Sequence, residues 1–202
     1  MDAAETLRLI KTRRSVRRYD GRPVPTHLVW ELLEAAHWAP SAHNRQPWRF
    51  AVLMDVERRR ALAEAMGAHF RRDLLAAGVP EEEAERQVAR SVARIVDAPA
   101  VIVVFLSMAD MDQYADAKHR ALERTMAVQS VALAVQNILL LAHAHGLGAC
   151  WMCAPLFCPE VVRETLEVPA DWEAQALVTL GYPAEVRTRE RDSLADRVRW
   201  YE

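Results

Sequence analysis

An α+β fold is predicted by three features of the 202-residue chain. Segments with helical periodicity alternate with short apolar, β-branched segments of strand length. An apolar fraction of 51% against 27% charged residues is enough to fill a core. No repeat, low-complexity tract or linker interrupts the order, so residues 1–202 are expected to form one domain, with the charged tail 183–202 extended.

Each element has its own signal. Residues 4–11 carry Leu7 and Ile10 on one face of an amphipathic helix. Pro23 and Pro25 mark a turn, Thr26 is placed to N-cap a helix over 28–38, and Pro40 ends it. A polar loop, 41–46, leads into a strand over 49–54, and Asp55 caps an Arg- and Ala-rich helix over 56–66. The stretch 69–96, split by Gly78 and Pro80 into two helical pieces, is expected to be the most exposed part of the chain and a candidate lid. Residues 99–106 are almost wholly apolar and β-branched, the pattern of a central strand buried on both faces. The helix over 122–145 is apolar nearly all round, so cover on every side is expected, with Gly146 and Gly148 ending it. Strands over 149–153 and 174–180 enclose a helix over 159–166.

Charge and cysteine usage exclude several classes. With 26 basic and 28 acidic residues there is no global field for nucleic acid or an anionic membrane. The apolar stretch 128–144 is interrupted by Gln129, Ser130, Gln136 and Asn137, which lipid would penalise. Residues 1–14 lack the apolar core of a signal peptide. Cys150, Cys153 and Cys158 are too few and too clustered for an extracellular disulfide framework. The expectation is a cytoplasmic protein with no nucleic-acid and no membrane partner.

Two segments carry candidate chemistry. In the run 13–17, Arg13, Ser15 and Arg17 can project to one side of an extended chain, where guanidinium forks and a hydroxyl suit a phosphate. The same run also fits a solvated basic helix end meeting its own helix dipole. In the loop 39–48, Asn44 and Gln46 offer both donors and acceptors, as reading the edge of a pyrimidine-like ring requires, while Pro40 and Pro47 stiffen the chain. The competing reading is a helix-to-strand turn whose polar groups satisfy their own backbone. Cys150 and Cys153 form a C-x-x-C with His143 and His145 upstream, but on a strand side chains three apart face opposite ways, so no metal site is expected. Trp30, Trp38, Trp172 and Trp200 read as core or interface anchors.

RRSVR followed by PSAHNRQPW before a strand resembles the FMN-binding nitroreductase superfamily, as do the long apolar helix, GLGACW at 146–151, LGYP at 180–183 and the basic tail. The resemblance covers almost the whole chain. It implies a nitroreductase-like fold, a central, mostly antiparallel sheet wrapped by helices, in an intertwined homodimer. It further implies that Arg13 and Ser15 bind the phosphate end of FMN, with Arg14 and Val16 alongside, and that Arg17 lies at the N1 and O2 edge of the ring. Pro40, Ser41, Ala42, Asn44 and Gln46 would make up the cofactor-binding loop, in which Ser41 and Asn44 approach the flavin from the partner subunit while Gln46 and Trp48 hold the loop in place. Cys150, Trp151 and Met152 match the strand facing N5, and Arg187 and Arg189 match a basic pair that closes on the phosphate. Asp73 is a candidate contact to flavin or substrate, and His43 a candidate proton donor to the reduced acceptor.

The activity implied is electron transfer from NADH or NADPH through FMN to a small-molecule acceptor such as a nitroarene or quinone. The details RRSVR, HNRQPW, Asp73 and GLGACW are similar to a reductase domain in deazaflavin-coenzyme biosynthesis, whose acceptor is an unsaturated deazaflavin precursor. Relatives that consume their own flavin or dehalogenate a ring, and a flavin-binding module without turnover, stay open as alternatives.

Overall fold

The computed structural model describes residues 2–185, 188 and 190–201. In chain order the elements are α1 (Ala3–Thr12), α2 (Thr26–His37), β1 (Trp48–Leu53), α3 (Val56–Ala76), α4 (Glu81–Val96), β2 (Ala100–Leu106), α5 (Ala117–Ala144), β3 (Gly148–Met152), α6 (Pro159–Leu166) and β4 (Glu173–Gly181). The strands form one sheet in the order β1-β2-β4-β3, antiparallel throughout. This matches the α+β expectation.

The uninterrupted apolar run of β2 follows from its place at the centre. Successive side chains alternate faces, so Ile102, Val104 and Leu106 join one layer under α2 and α5, with Leu32, Val131 and Ile138. Val101, Val103 and Phe105 join the other, against Leu62, Met66 and Ile95 of α3 and α4 and Val162 of α6. A strand covered on both faces has no polar side to show.

Several boundaries differ from the sequence expectation. Pro25, not Thr26, is the N-cap of α2, and it makes no side-chain cap bond. Asp55 caps α3 as expected, accepting from the Arg58 amide, but the helix continues ten residues past Met66 to Ala76. Gly67 permits this by packing: a Cβ there would lie 3.0 Å from a Val92 methyl of α4. The stretch 69–96 is therefore half of a helical hairpin seated on the sheet, with Ala84 and Ile95 buried, and not simply the exposed flap of the expectation. Gly146, at φ +72°, terminates α5, whereas Gly148 opens β3. Helix α5 starts earlier, at Ala117, and leaves Leu122 and Leu133 exposed, so within one protomer it is not covered on every side. Trp172 packs on Phe105, with ring centroids 5.4 Å apart, as a core anchor, but Trp30, Trp38 and Trp200 are exposed and outside the core.

Candidate active site

After α1 the chain turns extended at Arg13 and runs along the outer edge of β3. Ser15 bridges Ala149 in parallel, and the Val16 amide donates to the Ala149 carbonyl at 3.0 Å. Two glycines allow this close approach. A Cβ on Gly148 would sit 2.7 Å from the Val16 side chain, and one on Gly181 would sit 2.7 Å from the Tyr19 ring. Tyr19 fixes the segment from below: its hydroxyl lies 2.8 Å from the Val16 carbonyl and 2.7 Å from the Thr179 hydroxyl. Burial pushes the Tyr19 phenol well above its ordinary value, ahead of a smaller opposing effect of the Thr179 bond, so it serves as a neutral anchor.

Arginines converge on this edge. Burial lowers Arg13 first, then its neighbours Arg191 and Arg14, while the Cys150 thiol opposes them. Burial likewise raises Cys150, against the pull of Arg17, Arg94 and Arg13. Arg13, Arg17 and Arg94 thus all bear electrostatically on Cys150 of β3, and among the described residues none of them has an ion pair. The Arg13 Nε is buried with no hydrogen-bond partner. A cavity of about 410 Å³ opens here, lined by Ser15, Val16 and Arg17 with Arg90 and Arg94 of α4. Arg14 spends its guanidinium differently, donating to the carbonyls of Lys11 at 2.6 Å and Arg13 at 2.7 Å. It therefore adopts the helix-end role that was the competing reading of the whole run.

The loop 41–46 lies at the other edge of the sheet, ahead of β1. His43, Asn44 and Gln46 all have positive φ, between 51° and 55°, a cluster that costs non-glycine residues about 1–3 kcal/mol each. Surrounding bonds hold it. The Ala42 amide donates to the Ser130 hydroxyl of α5 at 3.2 Å, and the Gln46 amide donates to the Ser41 hydroxyl at 3.0 Å. The Gln46 side-chain amide donates to the Asn44 carbonyl at 3.1 Å. Arg45 pairs with Asp112, and Arg49 with Asp110 at 2.7 Å. Part of the loop's polarity is thus spent on its own backbone, while His43, Asn44 and Pro40 remain exposed.

FMN, the group implied by the resemblance, needs a cationic pocket for its phosphate and a flat strand edge for its ring. The unpaired guanidiniums, the orphaned Arg13 Nε and the edge of β3 at 150–152, unpaired beyond the Ser15 bridge among the described residues, fit that demand. The Nitroreductase family profile matches residues 10–182. This chain belongs to the nitroreductase family. It is 35% identical to an NADH dehydrogenase of Thermus thermophilus, covering 86% of this chain and 84% of the relative. It is 32% identical to a 5,6-dimethylbenzimidazole synthase of Rhodospirillum rubrum, covering 88% and 81%. Among solved structures, a putative nitroreductase in complex with FMN from Desulfovibrio desulfuricans superposes with a TM-score of 0.73 at 29% identity, covering 98% of this chain and 96% of that one.

Within this nitroreductase chain the predicted residues separate into groups. Arg13, Arg14, Ser15, Val16 and Arg17 run beside β3, the strand of Cys150, Trp151 and Met152, through Ala149, while Pro40, Ser41, Ala42, His43, Asn44 and Gln46 lie ahead of β1 at the opposite edge. Asp73 does not line the arginine cavity either. It sits on α3, its carboxylate 3.1 Å from His69 Nδ1, and its charge raises Cys158 after burial has done so. Arg187 and Arg189 lie outside the described residues. The three cysteines are free, with the Trp151 indole N–H donating to Cys153 Sγ at 2.9 Å. Among the described residues no His, Cys, Asp or Glu cluster could hold a metal. Sequence reasoning missed Arg90, Arg94, Arg191, Tyr19 and Ser130. The first three had no local signal, but Ser130, a hydroxyl inside an apolar helix, was visible and was read only as an argument against lipid.

Proposed function

We propose that this chain is an FMN-dependent oxidoreductase that takes hydride from NADH or NADPH and passes electrons to a small acceptor, as a cytoplasmic, one-domain homodimer with two shared sites. The observation that carries the proposal is the set of ion-pair-free arginines, Arg13, Arg17 and Arg94, gathered on the open edge of β3. When bound, FMN supplies the hydride chemistry itself. Arg13 and Ser15, with Arg187 and Arg189 of the tail, would hold the phosphate. Arg17 and Arg94 would keep positive charge fixed beside the ring edge that gains negative charge on reduction, where preorganised cations count most.

Sheet order supports the dimer reading. The loop 41–46 and the arginine cluster flank opposite edge strands, three strand spacings or about 14 Å apart at roughly 4.8 Å each. That separation favours a site shared between two protomers. The flank of α5 carrying Leu122 and Leu133, the apolar groove lined by Trp30, Phe50 and Val52, and the tail aromatics Trp200 and Tyr201, 85% and 94% exposed, supply surface for a second copy to cover.

The test begins with flavin content. Purified protein is expected to be yellow or to take up FMN, and to oxidise NADH or NADPH with a nitroarene, a quinone or an unsaturated deazaflavin precursor. Arg17→Ala should slow flavin reduction about a hundredfold while weakening FMN binding far less. Mixing inactive Arg13→Ala protomers with inactive loop-variant protomers (Asn44→Ala) should restore one intact site per mixed dimer. Protein that cannot be loaded with FMN overturns the reading, and absence of restored activity overturns the shared site. The likeness to the Rhodospirillum rubrum relative supports a second reading, synthesis of 5,6-dimethylbenzimidazole, which mass spectrometry of aerobic incubations with reduced FMN would detect.

A further inference from the structure

The exposed face of α4 repeats arginine at four-residue intervals, Arg86, Arg90 and Arg94, and the three fare differently. Arg86 is neutralised by Glu82 and Glu83, each at 2.6 Å. Arg94 lines the arginine cavity together with Arg17. Arg90 has no hydrogen bond or ion pair among the described residues. Glu83, the acid with some influence from it, is held below the usual carboxylate range by bonds from Gln87 and Arg86, with Arg90 the last and weakest contributor. Like charges four apart destabilise a helix, and Arg90 has one on each side. Among the described residues, neither burial nor a polar partner accounts for its place there.

It does line the arginine cavity. Five arginines, 14, 17, 18, 90 and 94, face two acids, Asp97 and Glu185, an excess of three positive charges, and Glu185 lies 3.8 Å from Arg18. On the flavin reading, Arg17 and Arg94 serve the ring, Arg14 is committed to the end of α1 and Arg18 stands beside Glu185. Arg90 is left over, at about 410 Å³ of open cavity.

We propose that Arg90 binds a phosphate or carboxylate carried by the substrate that exchanges electrons with the cofactor, making the enzyme selective for anionic substrates. A guanidinium fork pairs with either group through two parallel N–H···O bonds. The inference rests on the flavin reading and adds the charge of the second ligand to it.

The test uses FMN-loaded wild type and Arg90→Ala, an exposed helical position where alanine preserves the helix. KM is measured for NADPH, NADH, 4-nitrobenzoate and neutral nitrobenzene, and equilibrium binding of NADP+ and 4-nitrobenzoate, followed through the flavin spectrum, gives the same comparison without turnover. The expected result is a loss of about tenfold or more for at least one anionic ligand, the order of a charge-assisted hydrogen bond, with FMN content and the KM for nitrobenzene essentially unchanged. A loss confined to NADPH assigns Arg90 to its extra phosphate, one shared by both nucleotides assigns it to their pyrophosphate, and one confined to 4-nitrobenzoate assigns it to the acceptor. Unchanged values for all anionic ligands, or a loss matched by nitrobenzene or by release of FMN, overturn the inference. Wild type that takes up no FMN fails the flavin reading itself, before any variant is compared.

Discussion

The two edges of the sheet use the same residue type in opposite ways. Beside β1, Arg45 and Arg49 each have an aspartate, Asp112 and Asp110, and their neighbours are held in left-handed backbone by Ser130 and Ser41. Beside β3, Arg13, Arg17, Arg90 and Arg94 have no acidic partner among the described residues, and the backbone there is relaxed. Paired arginines fix a shape; unpaired ones keep their free energy for a ligand. On the flavin reading, one edge is a finished surface and the other a receptor. That contrast says more about function than either motif does alone.

The strongest way to break the contrast is to deform the receptor edge without touching a charge. Gly148→Val places a Cβ where 2.7 Å separates it from Val16, and overpacking of this kind costs roughly 1–3 kcal/mol. We expect FMN affinity, followed by fluorescence titration, to fall about ten- to a hundredfold. Undiminished affinity would mean that the apposition of the 13–17 segment to β3 does not build the site.

A smaller effect is expected at the finished edge. Ser130→Ala removes the acceptor of the Ala42 amide and should cost about 1 kcal/mol in urea denaturation. Because the loop is strained, flavin binding by the dimer should weaken as well. Arg45→Ala, which breaks a solvent-exposed pair, should change stability by less than about 1 kcal/mol. If Arg45→Ala proved the more damaging of the two, the loop would be held by its surface pair and not from α5.

The smallest effect concerns pH. His143 Nε2 lies 2.9 Å from the Thr12 hydroxyl, and burial, then Arg13 and Arg14, lower its pKa. Its folded pKa is below the unfolded value of about 6.5, so on acidification the unfolded chain takes up the proton first. Stability is complete above about 6.5 and declines as pH falls from there toward the folded pKa. His143→Gln should flatten this slope in melting curves. Saturation with inorganic phosphate should shrink it, if the anion settles near Arg13.

Legibility followed the range of the causes. β2 and α6 were readable because burial on both faces and a proline-started turn act within a few residues. The continuation of α3 was not, because Gly67 looks like a helix breaker until α4 is packed against it. The motif RRSVR was visible, yet the divergence of Arg14 toward α1 depends on where the helix ends, and the arrival of Arg94 in one cavity with Arg17 on how a hairpin sits on the sheet. Asp73 was singled out from a charged stretch, but its pairing with His69 was not foreseen.

The bond between Tyr19 and Thr179 spans 160 residues. The segment that carries Arg13 and Arg17 is synthesised well before Thr179, so its resting place on β3 and β4 is completed only after it. Long-range closure of this kind is slow because its entropy must be met before its contacts form. Maturation of the arginine edge is therefore a late event in the life of each new molecule, and the order in which hydrogen exchange protects Val16 and Val103 after refolding should record it.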